Sequence, residues 1–328
     1  MSNALDSNSA PIKPTVTPEM VRILLKGYFD RPIRNLQVVP GGHVAQTFSF
    51  TVGASPGWAA EDDQAYIIRF NAPMLVNFEK EAHVYAHFAA PGIPIPCVVQ
   101  HGRLGGVYFA ITEKVPGQTL LQIPRAAYLG LIPAQMELLD AIHRVPLGDR
   151  HGYGIFDGQG AAPAPSWPAH LQAVSAEEPV GDFYGSWHGL FQSSLLERPV
   201  FEDIYRRMEQ LINYCPAERY LVHGDYGFGN VLVQDGRITG VLDWMAARYG
   251  DFLYDVAWLD FWSPADNWQA RFAQHYRQAG TAVPFYGERV VCYQCYIALD
   301  ALKFYAKGGD PGGYGYVRER IRTLLSAG

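Results

Sequence analysis

The spacing of apolar and polar residues divides the chain at about one third of its length. Before that point, short runs rich in β-branched and aromatic residues alternate with Gly/Pro turns, which is typical of strands. These runs are residues 36–39, 47–52, 65–70 and 107–113. Residues 78–88 have helical spacing instead, and Thr17-Pro18-Glu19 combines the signals of a helix start. The pattern predicts a small, mostly β unit with one inserted helix.

Helical spacing dominates the rest of the chain. The segments that show it are 133–145, 200–214, 251–262, 268–278, 289–306 and 316–325. Residues 148–167 are rich in Gly, Pro and aromatic residues, which predicts an irregular insert. The whole pattern predicts an α+β fold with a small β-rich N-terminal lobe and a larger, mainly helical C-terminal lobe. We expect a flexible tail at 1–16, the first lobe at 17–113, a hinge at 114–117 and the second lobe at 118–328.

Composition narrows the class of protein. With 328 residues, 48% of them hydrophobic and 18% charged, the chain has the make-up of an ordinary globular protein. Its net charge of −6 argues against a nucleic-acid partner, because such proteins usually present a basic face. The same charge is compatible with a cationic small substrate.

No segment of the sequence indicates export or membrane insertion. The N-terminus lacks the apolar core of a signal peptide, and no apolar run approaches the length of a membrane span. Four cysteines in a chain of this length do not form a disulfide pattern. Cys292 and Cys295 form a CxxC pair inside an apolar helical run, which favours core packing over zinc binding. We therefore expect a cytoplasmic protein without a membrane partner.

Candidate chemistry is concentrated in residues 221–244, LVHGDYGFGNVLVQDGRITGVLDW. Glycines around Asp225 permit sharp turns, and the Asp-Gly pair that begins at Asp235 is typical of a two-residue hairpin. Such a hairpin would fold Asp243 back towards Asn230. Taken alone, Asp225 and Asn230 favour an ordinary turn, and Asp243 could be a surface residue before a buried Trp244. Their occurrence in register with the Asp-Gly turn favours a site.

Two carboxylates and an amide held by one turn suit phosphoryl transfer. An ionised Asp225 can orient a substrate hydroxyl and accept its proton. Carboxylate and amide oxygens are also the ligands that Mg²⁺ prefers. His223 is expected to make structural hydrogen bonds in this loop, and Asp251 to organise the loop and the helix start that follow.

The motif resembles that of a known family. HGDYGFGNVL followed by GVLDW is similar to the aminoglycoside phosphotransferase family, which belongs to the protein-kinase-like superfamily and includes the choline kinases. Its signature is HGDxxxxN and then an Asp after a hydrophobic strand, and both parts match. Further matching stretches are YIIRFN (66–71), GYGIFDGQG (152–160) and GDFLYDVA (250–257). The likeness covers residues 36–257 and is greatest to hygromycin B-type members.

The resemblance implies a role for each residue of the motif. Asp225 matches the catalytic base, and Asn230 and Asp243 match the magnesium ligands. It also implies the two-lobed protein-kinase-like fold, with a nucleotide-binding N-terminal lobe and a C-terminal lobe that carries catalysis and the substrate.

The resemblance also assigns residues to the nucleotide. Arg69 occupies the position where most members carry the Lys that holds the α- and β-phosphates, and Arg keeps the charge with a different reach. Glu81 matches the helix acid that pairs with this cation; Glu79 is the rival, and a solvated helix face is the alternative for both.

Three further positions are implied at the nucleotide. Thr112 and Lys114 match the hinge whose backbone receives the adenine. Gly42 lies in a Gly-Gly turn that either bends over a phosphate or is simply an ordinary hairpin turn. The implied cofactors are ATP, with GTP left open, and Mg²⁺.

The resemblance predicts an ATP-dependent phosphotransferase that acts on a small-molecule hydroxyl. The expected acceptor is an aminocyclitol antibiotic of the hygromycin B type. The acidic and aromatic residues of the 148–198 insert, with Asp260 and Asp266, are equally compatible with a pocket for this acceptor and with a solvated acidic loop. These residues of the insert are Asp157, Glu177, Glu178, Asp182, Trp167, Phe183, Tyr184 and Trp187. The alternatives are a metabolic kinase of choline, homoserine or a sugar-like alcohol, and a nucleotide-binding protein that has lost catalysis. Both a monomer and a homodimer are compatible with the sequence.

Overall fold

The structure is a computed structural model that describes residues 13–40, 45–53, 63–72, 77–179 and 183–326. Internal contacts divide the chain into two compact units. The first consists of Met1–Tyr85 and Pro96–Val115, and the second of Ala86–Ile95 and Pro116–Gly328. The expected lobe bounds at 17–113 and 118–328 stay predictions.

The first unit is built on one antiparallel sheet, with the strand order β1-β2-β3-β5-β4. Its elements are α1 (Pro18–Lys26), β1 (Ile33–Val39), β2 (Gln46–Val52), β3 (Gln64–Asn71), α2 (Glu79–Phe88), β4 (Val98–Leu104) and β5 (Val107–Glu113). The hydroxyl of Thr17 caps α1 by accepting a hydrogen bond from Met20 N at 3.3 Å. One face of the sheet buries Phe48, Ile68 and Phe109 together with residues of α1, because alternate side chains of a strand share a face.

The predicted strands are present, and strand β4 is an addition to them. Gln100, His101 and Arg103 interrupt its apolar pattern, and the strand is only partly buried. A strand at the edge of a sheet can expose polar side chains, which removes the alternation from which strands are predicted.

The second unit is mainly helical and also contains two small sheets. Its elements are β6 (Gln118–Thr119), α3 (Arg125–His143), β7 (Gly154–Ile155), α4 (Trp167–Gln172), α5 (Leu190–Ser193), α6 (Arg198–Leu211), β8 (Tyr220–Val222), β9 (Val231–Gln234), β10 (Arg237–Val241), β11 (Arg248–Gly250), α7 (Leu253–Trp262), α8 (Trp268–Gln278), α9 (Tyr286–Gly308) and α10 (Pro311–Ser326). The sheets have the orders β10-β9-β6 and β7-β11-β8. Helices α6, α7 and α10 pack against α9.

Helix α3 begins eight residues earlier than predicted, at Arg125 instead of residue 133. The expected segment began at Pro133, and proline is normally excluded from a helix interior. In the structure Pro133 lies inside the helix, and Tyr128, Leu131 and Ile132 are already buried before it. Burial of this apolar turn therefore outweighs the local preference of proline.

No helix among the described residues is both long enough and apolar enough to cross a membrane.

Candidate active site

The predicted hairpin forms and positions the motif. Strands β9 and β10 pair antiparallel, and Asp235 and Gly236 both have positive φ, 49° and 72°, as a type I′ turn requires. Beyond the hairpin, Leu242 N donates to Asn230 O at 2.7 Å. Asp243 therefore follows directly on a residue that is hydrogen-bonded to Asn230.

Asp225 and Asn230 are in direct contact. The Asn230 side-chain nitrogen donates to both Asp225 O and Asp225 Oδ2, each at 2.9 Å. The turn between them is closed by a hydrogen bond from Asn230 N to Gly227 O at 2.7 Å. Gly227 has φ 103°, which only glycine adopts without strain.

Asp243 has a strained backbone close to Asp225. Its φ and ψ are 58° and 71°, a left-handed conformation that residues with a side chain rarely adopt and that is often found at functional sites. Burial of the Asp225 carboxyl and the neighbouring charge of Asp243 raise the pKa of Asp225 to about 7, against the opposing effects of Asn230 and Arg248. The three predicted residues are thus brought together.

His223 has the structural role that the sequence predicts. Its Nδ1 accepts a hydrogen bond from Asp225 N at 3.2 Å, which assigns the ring proton to Nε2. Nε2 then donates to Leu242 O at 3.0 Å. The imidazole therefore links the loop that carries Asp225 (residues 223–230) to the end of the hairpin.

Asp255 on α7 holds the same loop from beneath. Its carboxylate accepts hydrogen bonds from His223 N at 3.0 Å and Gly224 N at 2.8 Å, and it lies 2.9 Å from His143 Nε2. Burial works to raise the pKa of Asp255, but the hydrogen bond from His143 and nearby positive charge hold it below its ordinary value. Sequence reasoning noted Asp255 within GDFLYDVA without giving it this role, and it missed His143.

Gly224 is required where the loop meets the chain after the hairpin. Its φ is 82°, and a Cβ atom there would lie 2.4 Å from Ala246 O, well inside van der Waals contact. Any other residue would push Asp225 out of place.

In the first unit, Arg69 and Glu81 form an ion pair. Arg69 lies on β3, and its guanidinium is 5.2 Å from the ring centroid of Phe78. Glu81 is buried on α2, whereas Glu79 is exposed. The pairing therefore selects Glu81 over the rival Glu79.

The remaining nucleotide residues are placed as follows. Thr112 is buried in β5, opposite Ile67 and Val98. Lys114 N donates to Ala65 O at 3.0 Å, so this amide is already engaged in the sheet. Gly42 lies outside the described residues.

The acids that were considered for a cationic acceptor are largely engaged within the protein. Asp266 is buried and bonded to Arg125, Tyr128 and Ser263. The other acids have these partners: Asp157 with Gln159 N and Ala161 N, Glu177 with His188 N, Glu178 with Tyr184 N, and Asp260 with Gln269 N and Gln294 Nε2. The structure thus favours organising roles for these acids; Asp182 lies outside the described residues.

Asp251 and the two cysteines of the CxxC pair are buried in the second unit. Asp251 Oδ1 accepts from Leu253 N at the start of α7 at 3.2 Å, as the sequence predicts, and Arg289 donates to both of its oxygens at 2.8 and 2.6 Å. Cys292 and Cys295 are buried on α9, and Cys292 Sγ lies 3.8 Å from Cys215 Sγ.

The donor set around Asp225 fits a hard divalent cation. The Asp243 carboxylate and the side-chain oxygen of Asn230 are the kind of oxygen ligands that Mg²⁺ takes. Burial and the charge of Asp243 raise the pKa of Asp225, and a cation bound beside these carboxylates would stabilise their charged forms.

The α+β fold is that of the protein-kinase-like phosphotransferases, whose members act on hydroxyl acceptors. Residues 37–289 match the phosphotransferase enzyme family, and the chain belongs to that family.

Its relatives include kinases of small molecules. The chain is 30% identical to hygromycin-B 4-O-kinase of Escherichia coli over 322 residues, 96% of this chain and 87% of that protein. It is 24% identical to a probable ketoamine kinase of Synechocystis sp. over 84% of this chain and 86% of that one. The solved structure of aminoglycoside phosphotransferase APH(4)-Ia is similar, with a TM-score of 0.79 at 26% identity over 95% of this chain and 99% of that chain. A thermostable mutant of APH(4)-Ia in ternary complex with AMP-PNP and hygromycin B has a TM-score of 0.77 at 25% identity, covering 93% and 97%.

Proposed function

We propose that this protein transfers the γ-phosphoryl group of ATP to a hydroxyl of an aminocyclitol antibiotic of the hygromycin B type. The observation that supports this reaction most is the direct hydrogen bond between Asp225 and Asn230, next to Asp243. The acceptor class is supported by the 30% identity to hygromycin-B 4-O-kinase over most of both chains. AMP-PNP and hygromycin B bound together to APH(4)-Ia support ATP as the donor.

Asp225 acts as the general base in this proposal. Its carboxylate accepts the proton of the acceptor hydroxyl while the hydroxyl oxygen bonds to the γ-phosphorus and ADP leaves. The hydrogen bond from Asn230 to Asp225 Oδ2 fixes the orientation of the carboxylate. His223 and Asp255 form hydrogen bonds with the backbone of the loop that carries Asp225.

Asn230 and Asp243 would hold Mg²⁺ through their side-chain oxygens. When bound, Mg²⁺ neutralises charge on the β- and γ-phosphates of ATP. Asp243 is kept in its left-handed conformation by the hairpin on one side and the buried Trp244 on the other.

The nucleotide roles in the first unit belong to the same proposal. Arg69, oriented by its ion pair with Glu81, would bind the α- and β-phosphates with its planar fork. The backbone of the 112–114 segment would receive the adenine. Since Lys114 N–H already donates to Ala65 O, this recognition would have to use other backbone groups than that amide.

A metabolic kinase is the second candidate. A polycationic acceptor would be bound by free carboxylates. Those of Asp157, Asp260 and Asp266 already accept hydrogen bonds within the protein, which favours a less cationic acceptor. The likeness to a ketoamine kinase points in the same direction. A catalytically silent protein is disfavoured, because the base and both candidate metal ligands are present together.

An acceptor screen tests the proposal. The purified protein is incubated with Mg·ATP and, separately, with hygromycin B, a fructosamine, choline and homoserine; ADP release and phosphorylated product are measured. We expect product with hygromycin B, and a loss of about 10²–10⁴-fold in Asp225→Asn, the range a general base contributes. Product with only one of the other alcohols would identify that alcohol, instead of hygromycin B, as the acceptor. Substantial turnover by Asp225→Asn would remove the base assignment.

A further inference from the structure

Arg248 is a buried cation on strand β11, next to the loop that carries Asp225. It lies on β11 between Ile155 of β7 and Val222 of β8, and only 5% of it is exposed. Arginine is rarely buried to this degree unless an ion pair compensates for the lost hydration.

The partners of Arg248 do not neutralise its charge. Its Nε donates to Ala246 O at 3.0 Å, and the guanidinium carbon lies 4.2 Å from the ring centroid of Tyr254. Its Nη1 is buried without a hydrogen-bond partner. Within the described ranges, no carboxylate oxygen forms an ion pair with it. Because a guanidinium stays protonated in proteins, this position keeps a permanent positive charge.

The guanidinium lies directly against the loop that carries Asp225. A Cβ atom on Gly224 would be 3.1 Å from Arg248 Nε and 2.4 Å from Ala246 O, the carbonyl to which that nitrogen is bonded. The carboxylates whose charges interact with Arg248 are those of Asp300 on α9, Asp255 and Asp225. The last two lie beneath and in the same loop.

We propose that Arg248 is a positioning residue for phosphoryl transfer. Its guanidinium fixes Ala246 O and, through it, the backbone at Gly224, and supplies the permanent positive charge that balances the carboxylates around Asp225. The proposal rests on the proposed function, since the role of Asp225 as the base is assigned there.

Packing alone does not account for an arginine at this position. Methionine has a similar reach and would fill the space beside Tyr254 without an unpaired charge, and such replacements of buried charges are often neutral or stabilising. If the arginine does more than fill this space, its positive charge must stabilise the neighbouring carboxylates.

The test compares Arg248→Met, Arg248→Lys and Arg248→Gln in the full-length protein. In Arg248→Met we expect kcat to fall about 10- to 100-fold, as small misplacements of a reacting group do, with the KM for ATP within about twofold. Lys, which keeps the charge, should recover most of the lost kcat, and Gln should not. If Met prevents folding, the comparison of Lys with Gln still isolates the charge.

Arg219→Met is the matched control. Arg219 also lies over a tyrosine, with its guanidinium carbon 5.2 Å from the ring centroid of Tyr153, and donates to the backbone oxygens of Gly152 and Arg150. It belongs to no part of the proposed site, so its loss should leave kcat unchanged. Equal losses in Arg248→Lys and Arg248→Gln, or a kcat within twofold of wild type in Arg248→Met, would overturn the proposal.

Binding of Mn²⁺ without nucleotide provides a readout that does not depend on turnover. Mn²⁺ takes the same oxygen ligands as Mg²⁺, and loss of its binding in Asp243→Asn checks the proposed metal site separately. Removal of a nearby positive charge should tighten Mn²⁺ binding in Arg248→Met, about threefold or more. Weaker binding in Arg248→Met while wild type binds normally would mean that Arg248 is only structural, and would overturn the charge role.

Discussion

At the scale of single residues, two aspartates of the hairpin share a left-handed backbone and differ in their surroundings. Asp235 (φ 49°) lies exposed at the hairpin turn, and Asp243 (φ 58°) lies beside Asp225. The turn requires such a conformation at Asp235, whereas nothing in an ordinary strand end requires it at Asp243. We therefore attribute the strain at Asp243 to the placing of its carboxylate.

Asp243→Asn should weaken binding of Mg·ATP by about tenfold or more, which corresponds to roughly 1.4 kcal/mol. The amide keeps the shape and tolerates the left-handed backbone, but it removes the charge that binds the metal. Asp235→Asn is the control, because it makes the same change in the same conformation at the turn. Calorimetric titration measures both, and equal affinities in the two variants would remove Asp243 as a ligand.

His170 links the stability of the protein to pH. Burial and the positive charge of Arg248 lower the pKa of His170 to about 3, while the unfolded chain titrates near 6.5. Between these values the unfolded state binds the proton and the folded state does not, so stability falls as the pH falls below about 6.5. Between pH 7.5 and 5 the loss from this residue is about 2 kcal/mol.

Urea unfolding of wild type and His170→Gln at pH 7.5 and pH 5 checks this expectation. The variant cannot be protonated, so its free energy of unfolding should decrease less on acidification, by about 2 kcal/mol. His151→Gln at an exposed position is the control and should behave as wild type. The same decrease in all three proteins would contradict the prediction.

At the scale of elements, the start of α7 is fastened to α9 by a buried ion pair. Arg289 binds both oxygens of Asp251, and neither side chain is more than 6% exposed. Because α7 also carries Asp255, which accepts a hydrogen bond from the loop of Asp225, the ion pair helps to position that loop indirectly.

Breaking the pair by Asp251→Asn or Arg289→Met should lower the free energy of unfolding by about 3–5 kcal/mol, because one buried charge is left alone. The double variant should be less destabilised than the sum of the two single variants. Asp203→Asn serves as control, since its pair with Arg206 is exposed and worth about 0–1 kcal/mol. Strict additivity in chemical unfolding would show that the two residues are not coupled.

Prediction of elements succeeded where local pattern and burial agree. The hairpin of β9 and β10 was predictable because its Asp-Gly turn and both apolar runs favour the same structure. The first two turns of α3 were missed because Pro133 opposes a helix locally, while Tyr128 and Leu131 are buried by partners distant in sequence. Partners of that kind are not visible in a local pattern.

At the scale of the whole molecule, the biological role depends on the acceptor. Expression in a susceptible bacterium should raise tolerance to hygromycin B if the antibiotic is the substrate, and Asp225→Asn expressed at the same level should not. The minimal inhibitory concentration measures the effect. Equal values for the two proteins would refute protection by phosphorylation and favour the metabolic alternative.

The reaction class could be predicted from the sequence, because the motif residues lie within residues 221–244, whose turn and hairpin are encoded locally. The residues that support this motif could be identified only from the fold. Asp255 and Arg248 reach the loop of Asp225 from other elements. Asp266 and Asp260, two of the acids considered for the acceptor, are bonded to Tyr128 and Gln294, which are distant in sequence. Contacts between distant segments depend on packing, and a single sequence carries no local signal of them.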